Sequence, residues 1–203
     1  MKLTLVRHGE TPANVAGQLD TAPPGPGLTE RGTHQAAALV PRFAGEHFDA
    51  LWTSAHLRAQ VTAGPLAAER GMALRIRPGL GEFSAGDLEG RSDPAALEVF
   101  LEVMHAWIGR DLDPTMPGGE SGHDLIRRLD AAVAEISAAG DESALVVSHG
   151  GVLRIWTAVR CANITTEFAL ANYLVNTGVI VVTGTPADGW HCESWDLPPR
   201  PSH

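Results

Sequence analysis

Apolar residues in this chain fall into two alternating kinds of run. Short apolar-rich stretches at Leu3 to Val6, Phe48 to Thr53, Leu74 to Arg77, Ala144 to Val147 and Thr177 to Thr183 each stop at a turn signal, as strands buried in a sheet do. Between them apolar residues recur at helical spacing. These segments are Gln35 to Phe43 behind a Thr29 cap, Leu57 to Arg70 stopped by Gly71, Ala95 to Trp107, Ser121 to Ala138, and Val152 to Val159. Trp190 to Trp195 reads as a final edge strand. Strands alternating with helices predict an α/β fold, a three-layer α/β/α sandwich around a mostly parallel sheet. With 203 residues, 44% of them hydrophobic, the chain can bury one substantial core, so residues 1–203 are expected to be a single domain.

Two strands end alike. Leu3 to Val6 runs into Arg7-His8-Gly9, and Ala144 to Val147 into Ser148-His149-Gly150-Gly151. Ligands of open α/β sheets bind outside the carboxyl ends of the strands, which makes both ends candidate site positions. Arg7 and His8 alternate faces in a regular strand, and Gly9 is expected to break the ladder so that they converge. Arg58 opens the helix after the second strand. Two imidazoles and two guanidiniums in one crevice suit an anion, phosphate in particular.

Charge narrows the partners. The formal net charge is -9 and Lys2 is the only lysine, which argues against nucleic acid or an anionic membrane as partner. No stretch is long and apolar enough to span a bilayer, and no basic leader precedes the first strand, so a cytoplasmic location is the default. Cys161 and Cys192 lack metal-type spacing and read as free thiols. His34, His47, His56, His105, His123, His191 and His203 read as helix-face, turn or tail residues.

The motifs together resemble the histidine phosphatase superfamily, in its cofactor-dependent phosphoglycerate mutase-like branch. The matching segments are Leu5 to Thr11 with Asn14, Leu28 to Gly32 with Gln35-Ala36, Ser54 to Arg58 with Thr62-Ala63, Leu80-Gly81-Glu82 with Gly86 and Glu89-Gly90, Gly119-Glu120-Ser121, and Val147 to Gly151. The resemblance implies that His8 is the nucleophile that becomes phosphohistidine and that Glu82 is the general acid. Arg7, Arg58 and His149 would hold the phosphoryl oxygens, assisted by Asn14, Thr11 and Gly150. Backbone N–H groups of the helix after His149 would also point at the anion. No metal or other cofactor is implied, since phosphoryl transfer needs mainly positioning and charge stabilisation. Residues 79–120 would form a loop and helix cover over the site, bringing His105 or Trp107 near substrate. Gln18 and Asp20 are both candidates for the pocket wall, while Glu120 and Ser121 read equally well as the start of the following helix.

Three functions compete. A phosphatase acting on a small-molecule phosphate monoester is the leading expectation, because Ser92 to Pro117 is short and carries Asp93, Glu98, Glu102, Asp111 and Asp113 against Arg110. A phosphoglycerate mutase, which needs cations around a second anionic group, is the alternative. A non-catalytic phosphate-binding regulator is the third. A homodimer through an edge strand is left open.

Overall fold

The computed structural model describes residues 1–198; the tail reading of His203 lies outside the described residues. In chain order the elements are β1 (Lys2–Arg7), α1 (Pro12–Ala16), α2 (Glu30–Arg42), β2 (Ala50–Thr53), α3 (Leu57–Arg70), β3 (Leu74–Ile76), α4 (Pro94–Ile108), α5 (Gly122–Ala138), β4 (Ser143–Ser148), α6 (Gly150–Arg160), α7 (Thr166–Ala171), β5 (Val179–Thr185) and β6 (Gly189–Trp195). The strands form one sheet in the order β3-β2-β4-β1-β5-β6. β1 to β4 run parallel to their neighbours within that group, and β5 lies antiparallel to both β1 and β6.

Register builds the site. Arg7 pairs with Ser148 across β1 and β4, and Thr53 with Val147 across β2 and β4. The residues that follow, His8, Ser54 and His149, therefore emerge side by side from three adjacent strand ends.

Strand periodicity sorts the core into two layers. Leu3, Leu5, Trp52, Ala144 and Val146 pack with residues of α4, α5 and α6, whereas Val6, Leu51, Leu145 and Val147 pack with Leu39 and Phe43 near α2 and with Ala59, Ala63 and Leu66 of α3. The sheet is thus covered on both faces.

Helix ends follow their capping residues. Thr29 accepts from the Gly32 N–H, Asp93 from Ala96 and Ser121 from Asp124. Two short helices depart from the sequence expectation. The stretch after Thr11, assigned no element from the sequence, forms α1 through a reciprocal capping box between Thr11 and Asn14, with Pro12 in its first turn. α7, capped by Thr165, lies in a segment assigned no element. Gly9 ends the ladder as expected, its N–H bonding Thr62 Oγ1 at 2.9 Å, and has a second role. A Cβ there would stand 2.7 Å from the Gly32 carbonyl oxygen, so the glycine admits α2 against the end of β1, and the His8 N–H still bonds Ser148 O at 2.9 Å.

Candidate active site

His8 is 4% exposed, and its Nδ1 lies 2.7 Å from the Gly9 carbonyl oxygen. A carbonyl can only accept, so Nδ1 carries the hydrogen and Nε2 holds the free lone pair. Burial, then the charges of Arg7 and Arg58, drive this imidazole well below its usual 6.5, leaving it neutral at pH 7. The ring is thus in the protonation state that a nucleophilic imidazole requires.

Three guanidiniums surround a cavity of about 220 Å³ that His8 also lines. Arg7 donates from Nη1 to Leu174 O at 2.6 Å, Arg58 from Nη2 to Asp20 O at 3.1 Å, and Arg154 from Nη2 to Ala169 O at 2.9 Å. Each also keeps one buried nitrogen without an acceptor: Arg7 Nε, Arg58 Nη1 and Arg154 Nε. Such orphans cost about 1–3 kcal/mol each, and burial lowers the pKa of all three arginines. Desolvated cations converging on one cavity are complementary to a small anion. Gly150 permits the arrangement, since a Cβ there would lie 3.0 Å from Arg7 Nε. Arg154 had no sequence signal, because an arginine on an amphipathic helix ordinarily marks a solvated face.

His149 stands behind this wall. It is fully buried, its ring centroid lies 5.2 Å from that of His8, and it is not among the residues lining the cavity. Arg58 Nε donates to His149 Nδ1 at 3.3 Å, so His149 Nε2 carries the hydrogen and donates to Ser54 Oγ at 2.8 Å. Ser54 Oγ lies 3.4 Å from His56 Nδ1, and His56 Nε2 donates to Thr21 O at 2.8 Å. His149 Nδ1 can accept from Arg58 only if that ring is neutral, in keeping with the burial that depresses His149 strongly, and burial depresses His56 also. In this arrangement His149 steadies Arg58; to meet a phosphoryl oxygen it would have to exchange one of these bonds. His56, read from sequence as a bland residue, is 4% exposed with its ring 4.4 Å from that of His149. Its place just beyond a strand's carboxyl end was the signal available.

Glu82 turns its carboxylate onto the start of α6. Oε1 accepts from Val152 N–H at 2.9 Å and Phe83 N–H at 3.1 Å, and Oε2 from Gly151 N–H at 3.1 Å. This corrects the expectation that the helix N–H groups face the anion. Two are taken by Glu82, and of the first three N–H groups of α6 only that of Gly150 has no acceptor among the described residues. Arg128 of α5 holds the Glu82 turn from behind, donating to the carbonyls of Gly79 (3.0 Å), Gly81 (2.8 Å) and Glu82 (3.3 Å) and pairing with Glu120.

The remaining candidates divide. Thr11, Asn14, Gln18 and Asp20 all line the cavity, with Asp20 Oδ2 3.8 Å from Arg58 Nη1. Both candidates for the pocket wall therefore occupy it. Phe83, Phe100, Met104, Tyr173 and Leu174 supply an apolar side. Glu120 is bound to Arg128 and Ser121 caps α5, neither at the cavity. His105 also lies off it, and Trp107 is a core residue that donates to Pro114 O at 2.8 Å. Among the described residues no group of three or more metal-ligating side chains is placed to hold an ion. Both thiols are free and buried, Cys161 pushed up to about 12 and Cys192 to about 11 by burial, and so are poor nucleophiles.

A neutral imidazole among desolvated arginines, at the carboxyl end of a parallel sheet, defines the class as phosphoryl-transfer α/β proteins. Residues 3–198 match the model of the histidine phosphatase superfamily (branch 1), and the chain belongs to that family. It is 34% identical over 211 residues to the PE-PGRS family protein PE_PGRS11 of Mycobacterium tuberculosis, covering 96% of this chain and 36% of that longer protein. It is 36% identical over 160 residues to the adenosylcobalamin/alpha-ribazole phosphatase of Escherichia coli, covering 78% of each. It is 34% identical over 200 residues to the 2,3-bisphosphoglycerate-dependent phosphoglycerate mutase of Brucella ovis, covering 92% and 93%. Among solved structures, mycobacterial glucosyl-3-phosphoglycerate phosphatase Rv2419c in complex with VO3 superposes with a TM-score of 0.80 at 25% identity, covering 97% of this chain and 99% of that one.

Proposed function

We propose that this chain is a metal-independent phosphatase that hydrolyses a small phosphate monoester through a phosphohistidine on His8. The observation that carries the reading is the His8 ring, held neutral with Nδ1–H on Gly9 O and Nε2 free beside the arginine-lined cavity. In the first half-reaction Nε2 attacks phosphorus, the bond to the ester oxygen breaks, and Glu82 in its acid form protonates the departing oxygen. Arg7 and Arg58 take the equatorial oxygens, with Asn14, Thr11 and the Gly150 N–H as further donors and His149 holding Arg58. In the second half-reaction the Glu82 carboxylate takes a proton from water, the water oxygen attacks phosphorus, and the P–N bond breaks. Inorganic phosphate and neutral His8 result.

A mutase must also hold a second anionic group and shield the phosphohistidine from water. The α4 stretch offers the cavity Phe100 and Met104, no cation, and Asp20 faces it from the other wall, which favours hydrolysis. Residues 79–120 act as the cover in this reading. We place the enzyme in the cytoplasm acting on a soluble ester, with neither nucleic acid nor membrane as partner; no helix among the described residues is long and apolar enough to cross a membrane. Turnover of an aryl phosphate with excess chelator tests the reading. Wild type should release phosphate undiminished by chelator, and His8→Ala should release none and form no acid-labile phosphoenzyme. Mutase flux with bisphosphoglycerate exceeding phosphate release would select the other reaction.

A further inference from the structure

The turn that leads into β5 reaches back over the site. Asn176 Nδ2 donates to His8 O at 3.1 Å and to Asn14 Oδ1 at 3.1 Å. Thr177 N–H points at the Arg7 and His8 carbonyls, at 3.1 and 3.3 Å. Thr177 has φ of 56°, a left-handed conformation that is costly for a β-branched residue and that persists only where surrounding contacts enforce it.

The side-chain directions follow from obligate acceptors. Because His8 O can only accept, the Asn176 atom facing it is the amide nitrogen. That nitrogen and the Thr11 N–H, at 3.2 Å, are two donors converging on one atom of Asn14, which must be its oxygen. The Asn14 amide nitrogen is then left for the cavity that Asn14 lines. Were Asn14 turned over, it would offer an oxygen to an anion and set three donors against one another.

We propose that Asn176 is a positioning residue that fixes the amide of Asn14, so that its donor and not its acceptor meets the phosphoryl group on His8. This rests on the phosphatase reading for the identity of the anion. Asn176 itself is not among the residues lining the cavity, so any effect on anion binding must pass through Asn14 or the His8 main chain, and a double-mutant cycle separates the two routes.

The cycle is Asn14→Ala, Asn176→Ala and the double variant, read as kcat/KM on an aryl phosphate and as Kd for inorganic phosphate, with melting temperatures alongside. Losing a hydrogen bond to a charged group corresponds to about ten- to a hundredfold. Asn14→Ala should weaken phosphate by that factor in the wild-type background and by less than about twofold once Asn176 is alanine. Equal losses in both backgrounds, or Asn176→Ala binding phosphate within twofold of wild type, overturn the proposal. Asn14→Asp guards against a folding defect, because it keeps an acceptor for Thr11 and Asn176 while replacing the donor with a second, negatively charged acceptor. It should melt like wild type yet bind phosphate poorly, and wild-type affinity would also overturn the proposal. The phosphate Kd needs no turnover, so a coupled cycle in a protein that releases no phosphate would sink the phosphatase reading and leave this one standing.

Discussion

Arg128 touches no part of the cavity, yet its guanidinium gathers three consecutive-loop carbonyls and anchors them to Glu120. The turn it fixes is the one that aims Glu82. General acid catalysis contributes about 10²- to 10⁴-fold where the leaving group is poor. Glu82→Gln should therefore lose about that much on an alkyl phosphate and little on an activated aryl phosphate; equal losses on both esters would remove Glu82 from the acid role. Arg128→Met should show the same dependence on leaving group at smaller size, because it misplaces the acid without deleting it. A uniform rise in KM, with kcat kept, would instead make Arg128 a binding residue. The sequence made some of this visible and hid the rest for one reason. His8, Arg7, Arg58 and His149 stand at strand ends or one turn into a helix, where local pattern locates a site. Arg128, Arg154 and Asn176 reach it from segments whose own pattern is that of an ordinary helix face or turn, and only the tertiary register of distant elements brings them there.

At the scale of elements, the segment proposed as the cover is built on aromatic packing. Phe83 stacks on Phe100 with centroids 4.8 Å apart and meets the edge of Trp107 at 5.2 Å; Trp107 is fully buried. Phe83 directly follows Glu82 in the chain. Truncating a buried tryptophan costs about 3–5 kcal/mol, so Trp107→Ala should lower the urea midpoint accordingly while also loosening the Glu82 turn. Activity on alkyl phosphates should fall more than activity on aryl phosphates under conditions where the variant is fully folded. Loss of stability with an unchanged ratio of the two activities would mean that the turn is held by Arg128 alone. Helices of three or more turns were legible because apolar residues recur in them at helical spacing, with Thr29, Ser121 and Gly71 marking ends. α1 and α7, of five and six residues, are too short for periodicity to register. Their capping signals, Thr11 with Asn14 and Thr165, were present in the sequence but look the same in a loop.

Across the whole molecule the buried imidazoles are a liability that function explains. His8, His56 and His149 are all depressed below 6.5, chiefly by burial and further by nearby arginine charge. The unfolded chain frees them to titrate near their usual value. Between about pH 6.5 and the lower folded values, unfolding takes up protons that the native state does not bind, so stability falls as pH falls through this window and is fully present above it. The carboxylates with the strongest depressions, Asp93 and Asp124 at about 2, act only at more acid pH, so the histidines dominate the slope just below neutrality. Three such groups give a limiting slope of about 4 kcal/mol per pH unit. Urea unfolding at pH 7.5, 6.5 and 5.5 should show a falling midpoint with little change in the slope against denaturant. In the same range the ring nitrogens of His8 and His149, followed by ¹⁵N NMR, should stay neutral in the folded protein, His8 as the Nδ1–H tautomer and His149 as the Nε2–H tautomer. A flat stability profile, or ring nitrogens that protonate near 6.5, would mean that the cluster keeps the ordinary proton affinity of histidine. His8 would then have to lose a proton before attacking phosphorus whenever the pH lies below about 6.5, and the arginines would there face repulsion in place of a neutral wall.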